Sequence, residues 1–392
     1  MNTEIKQLPV AVDKCVEYDY EKIKKIIQKH FSNIIKDDSF FEDKNVVVKP
    51  NLLMKAPPEK SITTHPIVME AVVEVIKSYN PKSVTIAESP GGPYTQTALN
   101  IIYKSTGMTN VASKCGVILN TDTSFEQISN PDGNVCKVFD IISPIAHADV
   151  VVNVCKLKTH SLTTMSAATK NLFGTIPGIE KFEMHTRYKE LPIFEKMLVD
   201  LCYMHLKRKP LLSIVDAIYG MEGNGPSGGD KRNYGLLLTS LNPFNVDVAC
   251  SYIMGLGGDV GYVNEAISRN LCANNANELQ LIGNSIDEYI AEDVKLPDTK
   301  SLPILKKLPT IFGGRLNKFF EPRPAIIPQK CVGCGECMRS CPAKTIELFN
   351  NKKGKKIARI KDENCIKCYC CQELCPINAV KVIKNPIFKI IK

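Results

Sequence analysis

Val150-Val151-Val152-Asn153-Val154-Cys155-Lys156-Leu157-Lys158-Thr159-His160 runs from a β-branched apolar strand straight into charge. A strand apolar on successive residues is buried on both faces, the pattern of a parallel sheet covered by helices. Residues 10–15, 46–48, 83–87, 211–215 and 236–239 read as further strands. Helical spacing lies between them. Ile23, Ile26, Ile27, His30 and Ile34 follow a candidate N-cap at Asp19; Val68, Ala71, Val72, Val75 and Ile76 follow one at Thr64, with Pro66 in the first turn. The alternation predicts an α/β fold over residues 1–300, a mostly parallel open sheet with flanking helices.

The chemistry sits just past the strand ends. Residues 46–48 lead into Lys49-Pro50-Asn51, 83–87 into Glu88-Ser89-Pro90-Gly91-Gly92, 150–155 into Lys156 through His160, and 211–215 into Asp216. In open α/β sheets the carboxyl ends of the strands face the ligand crevice, so these side chains should converge. One charged residue ending a strand needs no explanation beyond water, but four together point to a site. Lys49, Lys156, Lys158, His160 and Asp216 are the catalytic candidates. Lys49, Asn51, Glu88, Lys170 and Asn171 are the substrate-binding ones, expected to hold a small anion. His160 and His185 are the nearest histidines, each able to serve near neutral pH or to satisfy a purely structural need. The loop Gly220-Met221-Glu222-Gly223-Asn224-Gly225-Pro226-Ser227-Gly228-Gly229 has neither the dinucleotide nor the P-loop order and reads as a mobile loop beside Asp216.

A second unit is written in cysteine. The 392 residues hold 16 Cys, and nine of them fall between Cys331 and Cys375. Cys331-Val-Gly-Cys334-Gly-Glu-Cys337-Met-Arg-Ser-Cys341-Pro342 returns 34 residues later as Cys365-Ile-Lys-Cys368-Tyr-Cys370-Cys371-Gln-Glu-Leu-Cys375-Pro376. This C-x2-C-x2-C-x3-C-P run is the bacterial ferredoxin spacing, in which the fourth cysteine serves the other cluster. Two [4Fe-4S] clusters are therefore expected, one on Cys331, Cys334, Cys337 and Cys375, the other on Cys365, Cys368, Cys371 and Cys341. Zinc sites use separated C-x2-C pairs and fit poorly. Cys370 is an extra thiol, read as a spare. Prolines at 303, 309, 322, 324 and 328 mark residues 301–328 as a linker, leaving 329–392 as a small α+β ferredoxin-like domain.

With 44% apolar and 23% charged residues the chain is neither disordered nor fibrous. No stretch approaches the ~18–20 apolar residues of a membrane span, and the N-terminus lacks a secretory h-region. So many thiols then suit a reducing cytoplasm. Residues 321–392 contain 15 Lys+Arg against 6 Asp+Glu, so the whole formal charge of +9 sits there. The turn Lys352-Lys353-Gly354-Lys355-Lys356 suits an acidic redox partner protein better than nucleic acid, and no membrane partner is expected.

Five stretches resemble the domain of unknown function 362: Lys49-Pro50-Asn51; Asn153-Val-Cys-Lys-Leu-Lys-Thr-His160; Ala168-Thr-Lys-Asn-Leu-Phe-Gly174; Asp216-Ala-Ile-Tyr-Gly-Met-Glu-Gly-Asn-Gly-Pro226; and Asn242-Pro-Phe-Asn-Val-Asp247. The resemblance spans about residues 8–290. It implies a domain found alone or fused to a two-cluster ferredoxin, and it adds Asp247 to the substrate-binding candidates. Asn245 stands where an apolar residue is more usual. The expected function is iron-sulfur electron transfer, as a ferredoxin-linked oxidoreductase acting on a small anionic substrate. Alternatives are a non-enzymatic carrier or cluster-handling protein whose α/β domain docks a partner or ligand, and a redox-sensing regulator.

Overall fold

The computed structural model describes residues 2–299 and 322–383. Eleven strands precede residue 299: β1 Val10–Lys14, β2 Asn45–Lys49, β3 Ser83–Ile86, β4 Ile118–Leu119, β5 Phe125–Ser129, β6 Val138–Ile142, β7 Val150–His160, β8 Thr164–Ser166, β9 Leu211–Glu222, β10 Asp230–Ser240 and β11 Leu281–Gly283. All but the β5–β6 hairpin join one sheet, ordered β11-β1-β10-β9-β7-β2-β3-β4, with β8 paired to β7. Neighbours are parallel except at β1/β10, β10/β9 and β7/β8. The sheet is thus mainly parallel, as the continuous apolar strands require.

Its two faces bury separate cores. Along β7, Val151, Cys155 and Leu157 pack on one side and Val150, Val152 and Val154 on the other, the period-two alternation of a strand. Helices Tyr20–Ile34 and Pro66–Lys77 cover the second face. Helix Tyr20–Ile34 starts where Asp19 accepts the Lys22 N–H at 2.9 Å, and it buries Ile23, Ile27, His30, Phe31 and Ile34 along one stripe. The helix at Pro66 is capped by His65, whose Nδ1 accepts the Ile67 N–H at 3.3 Å. Thr64 instead ties Asn51 to Val154, accepting the Asn51 N–H and donating to the Val154 carbonyl, each at 2.8 Å. Asn245 explains its unusual polarity: it donates to the Lys6 and Leu8 carbonyls at 3.0 and 2.8 Å and secures the N-terminal segment.

Strands β7 and β9 are longer than the apolar pattern foretells. They continue through the charged residues to His160 and Glu222, because each pairs with an antiparallel neighbour there. Lys156, Lys158 and His160 accordingly lie on a strand, not a loop.

The cysteine-rich module has two small antiparallel sheets, β12 Arg323–Ile326 with β15 Val380–Ile383, and β13 Ile346–Asn350 with β14 Lys356–Ile360. Residues 323–326 therefore belong to the module rather than to a linker at 301–328. The rest of that linker up to 321 lies outside the described residues. Helices Glu336–Arg339 and Cys370–Glu373 follow the two cysteine loops. The loops share a backbone path, with positive φ at Gly333 and Gly335 in the first and at Lys367 and Tyr369 in the second. Lys344 and Asn378 repeat it after the fourth cysteine of each run. Four non-glycine residues thus hold a left-handed conformation costing roughly 1–2 kcal/mol each, which repetition of the same turns explains.

Candidate functional site

Each predicted quartet lines its own void. Cys331, Cys334, Cys337 and Cys375 surround one; Cys341, Cys365, Cys368 and Cys371 surround the other. Sulfur accepts backbone N–H groups in both, from Ala358 to Cys331 at 3.4 Å, Ala379 to Cys375 at 3.1 Å and Thr345 to Cys341 at 3.3 Å. Among the described residues no three His, Cys, Asp or Glu side chains close on a single metal position. Four thiolates around a void suit a cubane, which takes one at each iron, and not the tetrahedral point site of zinc.

A separate cavity, about 70 Å³, lies at the carboxyl ends of β2, β3 and β7. The α/β unit contributes Asn51, Glu88, Ser89, Lys158, His160, Ser166, Lys170 and Asn171 to its wall. A second stretch, on and beside helix Glu180–Arg187, adds Phe173, Lys181, Phe182 and His185. The remaining wall comes from the cysteine-rich module, through Cys370, Glu373 and Leu374. Cys370 and Leu374 pack on Phe182, with Met54 and the cysteine Cys368 at the edge of that apolar contact. The cavity and the second cysteine void therefore share one short helix as a common wall.

Its charges are unequally matched. Glu88 pairs with Lys49 at 2.8 Å, both buried. Lys158 donates to Asn51 Oδ1 at 2.7 Å and to the Ile62 carbonyl at 2.8 Å, and meets no carboxylate in contact. Burial, with Lys156 and Lys170 nearby, lowers its pKa to about 7. Lys181 donates to Ser89 Oγ at 2.9 Å and to the Ile176 carbonyl at 2.5 Å, and burial lowers it to about 7 despite Glu88. Among the described residues Lys170 makes no hydrogen bond or ion pair, its ammonium resting 4.5 Å from the Phe173 ring centroid. Against these three stands Glu373, whose carboxyl is pushed up by burial and whose Oε1 has no hydrogen-bond partner.

His160 Nδ1 accepts from the Leu162 N–H at 3.1 Å and the Thr163 N–H at 3.4 Å. In the neutral ring the proton is thereby assigned to Nε2, which faces Glu373 Oε1 at 3.4 Å. Burial and the two nearby lysines hold His160 well below the usual histidine range. His185 is stacked on Phe194 at 4.4 Å and falls to about 3 by burial, so it lines the cavity as a neutral ring.

Comparison with known proteins agrees with this division. The family model described as "Domain of unknown function (DUF362)" matches residues 46–252, and that of a 4Fe-4S dicluster domain matches 330–379. "Thylakoid-associated protein sll1697" of Synechocystis sp. (strain ATCC 27184 / PCC 6803 / Kazusa) is 30% identical over 281 residues, 70% of this chain and 83% of that protein. The chain belongs to the DUF362 family. Among solved structures, the lactate racemase apoprotein from Thermoanaerobacterium thermosaccharolyticum aligns with TM-score 0.39 and 13% identity, over 65% of this chain and 59% of that one. A protein from Thermotoga maritima aligns with TM-score 0.38 and 12% identity, over 61% and 60% respectively. This chain thus spans about three fifths of each. The DUF362 unit carries beside it a ferredoxin-type module that binds 4Fe-4S clusters.

The structure sorts the expected site residues of the DUF362 unit. Lys158, His160, Lys170, Asn171, Asn51 and Glu88 meet at the cavity. Lys49 lies behind Glu88, and Gly174 has no room for a side chain there, since a Cβ would sit 2.2 Å from Glu88 Oε1 and 2.7 Å from Lys49 Nζ. Lys156 and Asp216 do not line it. They face each other in the β7/β9 register, pair at 2.8 Å with neither exposed, and share Tyr18 Oη, 2.7 Å from Lys156 Nζ and 3.2 Å from Asp216 Oδ1. Asp247 is likewise internal, accepting the Ala168 and Thr169 N–H groups at 2.7 and 2.8 Å. These two carboxylates are engaged by protein donors away from the cavity lining, so the structure does not bring them together with the other candidates.

The glycine-rich stretch is also placed differently. Instead of standing free beside Asp216, it meets the ferredoxin helix: Ser227 Oγ donates to the Glu373 carbonyl at 2.6 Å and Gln372 Nε2 to the Asn224 carbonyl at 3.3 Å. Lys181, Ser89, Phe173 and Glu373 were absent from the sequence candidates. Glu373 sits inside a cysteine run whose ligand spacing claims all attention. Lys181 follows no strand and no motif.

Proposed function

We propose that this protein is an iron-sulfur oxidoreductase with two [4Fe-4S] clusters, which exchanges electrons with a small anionic substrate bound in the cavity. The observation that carries the reading is the shared wall: Cys370, Glu373 and Leu374 line the cavity while Cys368 and Cys371 line the second cysteine void. Cys331, Cys334, Cys337 and Cys375 would hold one cluster and Cys365, Cys368, Cys371 and Cys341 the other. A bound cluster supplies one-electron transfer at low potential. The chain's own residues do the rest: Lys158, Lys170 and Lys181 attract and orient the anion, and the Phe182–Cys370–Leu374 contact keeps water from its protein-facing side.

A redox partner protein is required to load or drain the clusters. The turn Lys352-Lys353-Gly354-Lys355-Lys356 joins β13 to β14, is exposed throughout, and abuts the first cysteine loop, where a Cβ on Gly333 would lie 2.6 Å from the Lys356 carbonyl. An acidic partner surface fits it. None of the 16 cysteines is disulfide-bonded, which favours the reducing cytoplasm as the working compartment.

The test is reoxidation of the reduced, reconstituted protein by carboxylate and oxoanion metabolites. Acceleration over buffer, lost in Lys170→Gln at unchanged iron content, supports the reading. If no metabolite accelerates reoxidation, the cavity is not a redox site.

A further inference from the structure

Hydrogen-bond arithmetic in the cavity narrows what it takes. A lysine ammonium has three N–H donors. Lys158 and Lys181 each place two on protein oxygens, leaving one apiece, and Lys170 places none. The unmet groups of opposite kind are Asn171 Oδ1 and Glu373 Oε1, both buried and without a hydrogen-bond partner, His160 Nε2 standing 3.4 Å from the latter but outside hydrogen-bond geometry. Asn171 commits its amide nitrogen to Asn153 Oδ1 at 2.8 Å and, at 3.4 Å, to the Pro50 carbonyl, so its free oxygen remains an acceptor. Donors thus exceed acceptors, and positive charge exceeds negative once Lys49 and Glu88 cancel. Buried groups of this kind demand partners.

We infer that the cavity binds a small oxoanion that also carries a hydroxyl group, the anionic oxygens facing Lys158, Lys170 and Lys181 and the hydroxyl donating to Asn171 Oδ1 or Glu373 Oε1. Hydrogencarbonate and short 2-hydroxy carboxylates such as glycolate have this chemistry; nitrate and acetate match their charge and approximate size but lack the donor. At about 70 Å³ the cavity has roughly half the ~150 Å³ that admits benzene, which favours ligands of a few heavy atoms over nucleotides. The inference rests on the reading that this cavity is the substrate site, and it concerns binding alone.

Calorimetric titration of the full-length, cluster-loaded protein at pH 7 and fixed ionic strength tests it, using glycolate against acetate and hydrogencarbonate against nitrate. One site per chain is expected, with each hydroxyl-bearing probe bound at least about tenfold tighter than its counterpart. Lys170→Gln should weaken binding about tenfold or more, while the exposed Lys352→Gln leaves it unchanged. Circular dichroism and iron content verify that each variant is folded and loaded. Equal affinity within each pair overturns the hydroxyl assignment. No binding of any probe, or Lys170→Gln binding like the parent, overturns the site. If the probes bind as expected while no anion hastens cluster reoxidation, the redox reading fails and this one stands.

Discussion

Replacing Asp216 by alanine would separate a structural carboxylate from a catalytic one. Asp216 is fully buried and holds the Lys156 ammonium at 2.8 Å, Tyr18 Oη at 3.2 Å and the His65 N–H at 3.0 Å. Removing it leaves a buried ammonium whose other hydrogen-bond partner is the Tyr18 hydroxyl, at 2.7 Å. Stripping one member from such a pair costs roughly 3–5 kcal/mol, because the remaining charge is uncompensated. At roughly 2–4 °C per kcal/mol, Tm should fall by about 6–20 °C. The double variant Lys156→Met with Asp216→Leu removes both charges and should recover part of that loss, held back by the roughly 1–3 kcal/mol of an unpaired His65 N–H while the half-buried Tyr18 hydroxyl turns to water. Urea unfolding followed by far-ultraviolet circular dichroism measures both, and glycolate titration of the double variant should retain the parent affinity. A single variant that loses less than about 1 kcal/mol yet abolishes anion binding or anion-dependent reoxidation would refute the structural assignment. So would a double variant no more stable than the single one.

Cys370→Ala should leave the iron content unchanged, whereas Cys368→Ala or Cys371→Ala should lower it by about four irons per chain, as measured by iron assay and absorbance. Glycolate affinity should be highest below pH 7 and fall at least about tenfold between pH 6 and 8. Lys158 and Lys181, each lowered to about 7, are charged below that value and neutral above it, Lys158 facing Lys156, Lys170, Glu373 and Glu88, and Lys181 facing Glu88, Lys49, Lys170 and Glu180. Asp247→Ala leaves the Ala168 and Thr169 N–H groups unpaired and should destabilise the fold by roughly 1–3 kcal/mol for each, read from urea unfolding.

Much of this architecture is legible in residue order because local periodicity and metal-ligand spacing are local signals. The apolar runs place the central strands, Asp19 caps its helix as its side chain demands, and the two cysteine quartets form around separate voids. The strand-end rule locates the cavity and six of its polar residues. It cannot say which charged side chains face each other across neighbouring strands, since that depends on register: Lys156 opposite Asp216 follows from the β7/β9 pairing and from nothing nearby in sequence. Thr64 illustrates a smaller failure of the same kind. Its hydroxyl is drawn to Asn51 and Val154, so His65 one residue later takes the cap. Lys181 and Glu373 escaped notice because each reaches the cavity through tertiary packing of segments whose own patterns indicate something else.

The helix Cys370–Glu373, four residues long, answers to two masters. A ferredoxin module grafted from another protein could keep all eight predicted ligands and its reducing power, yet arrive without Glu373, Cys370 or the Ser227 contact and leave the lysines open to solvent. Part of the cavity lining is therefore written in the cysteine-rich half, at positions that a survey of cysteines would pass over. Exchanging the module without carrying Cys370, Glu373 and Leu374 across would leave that side of the cavity unwalled.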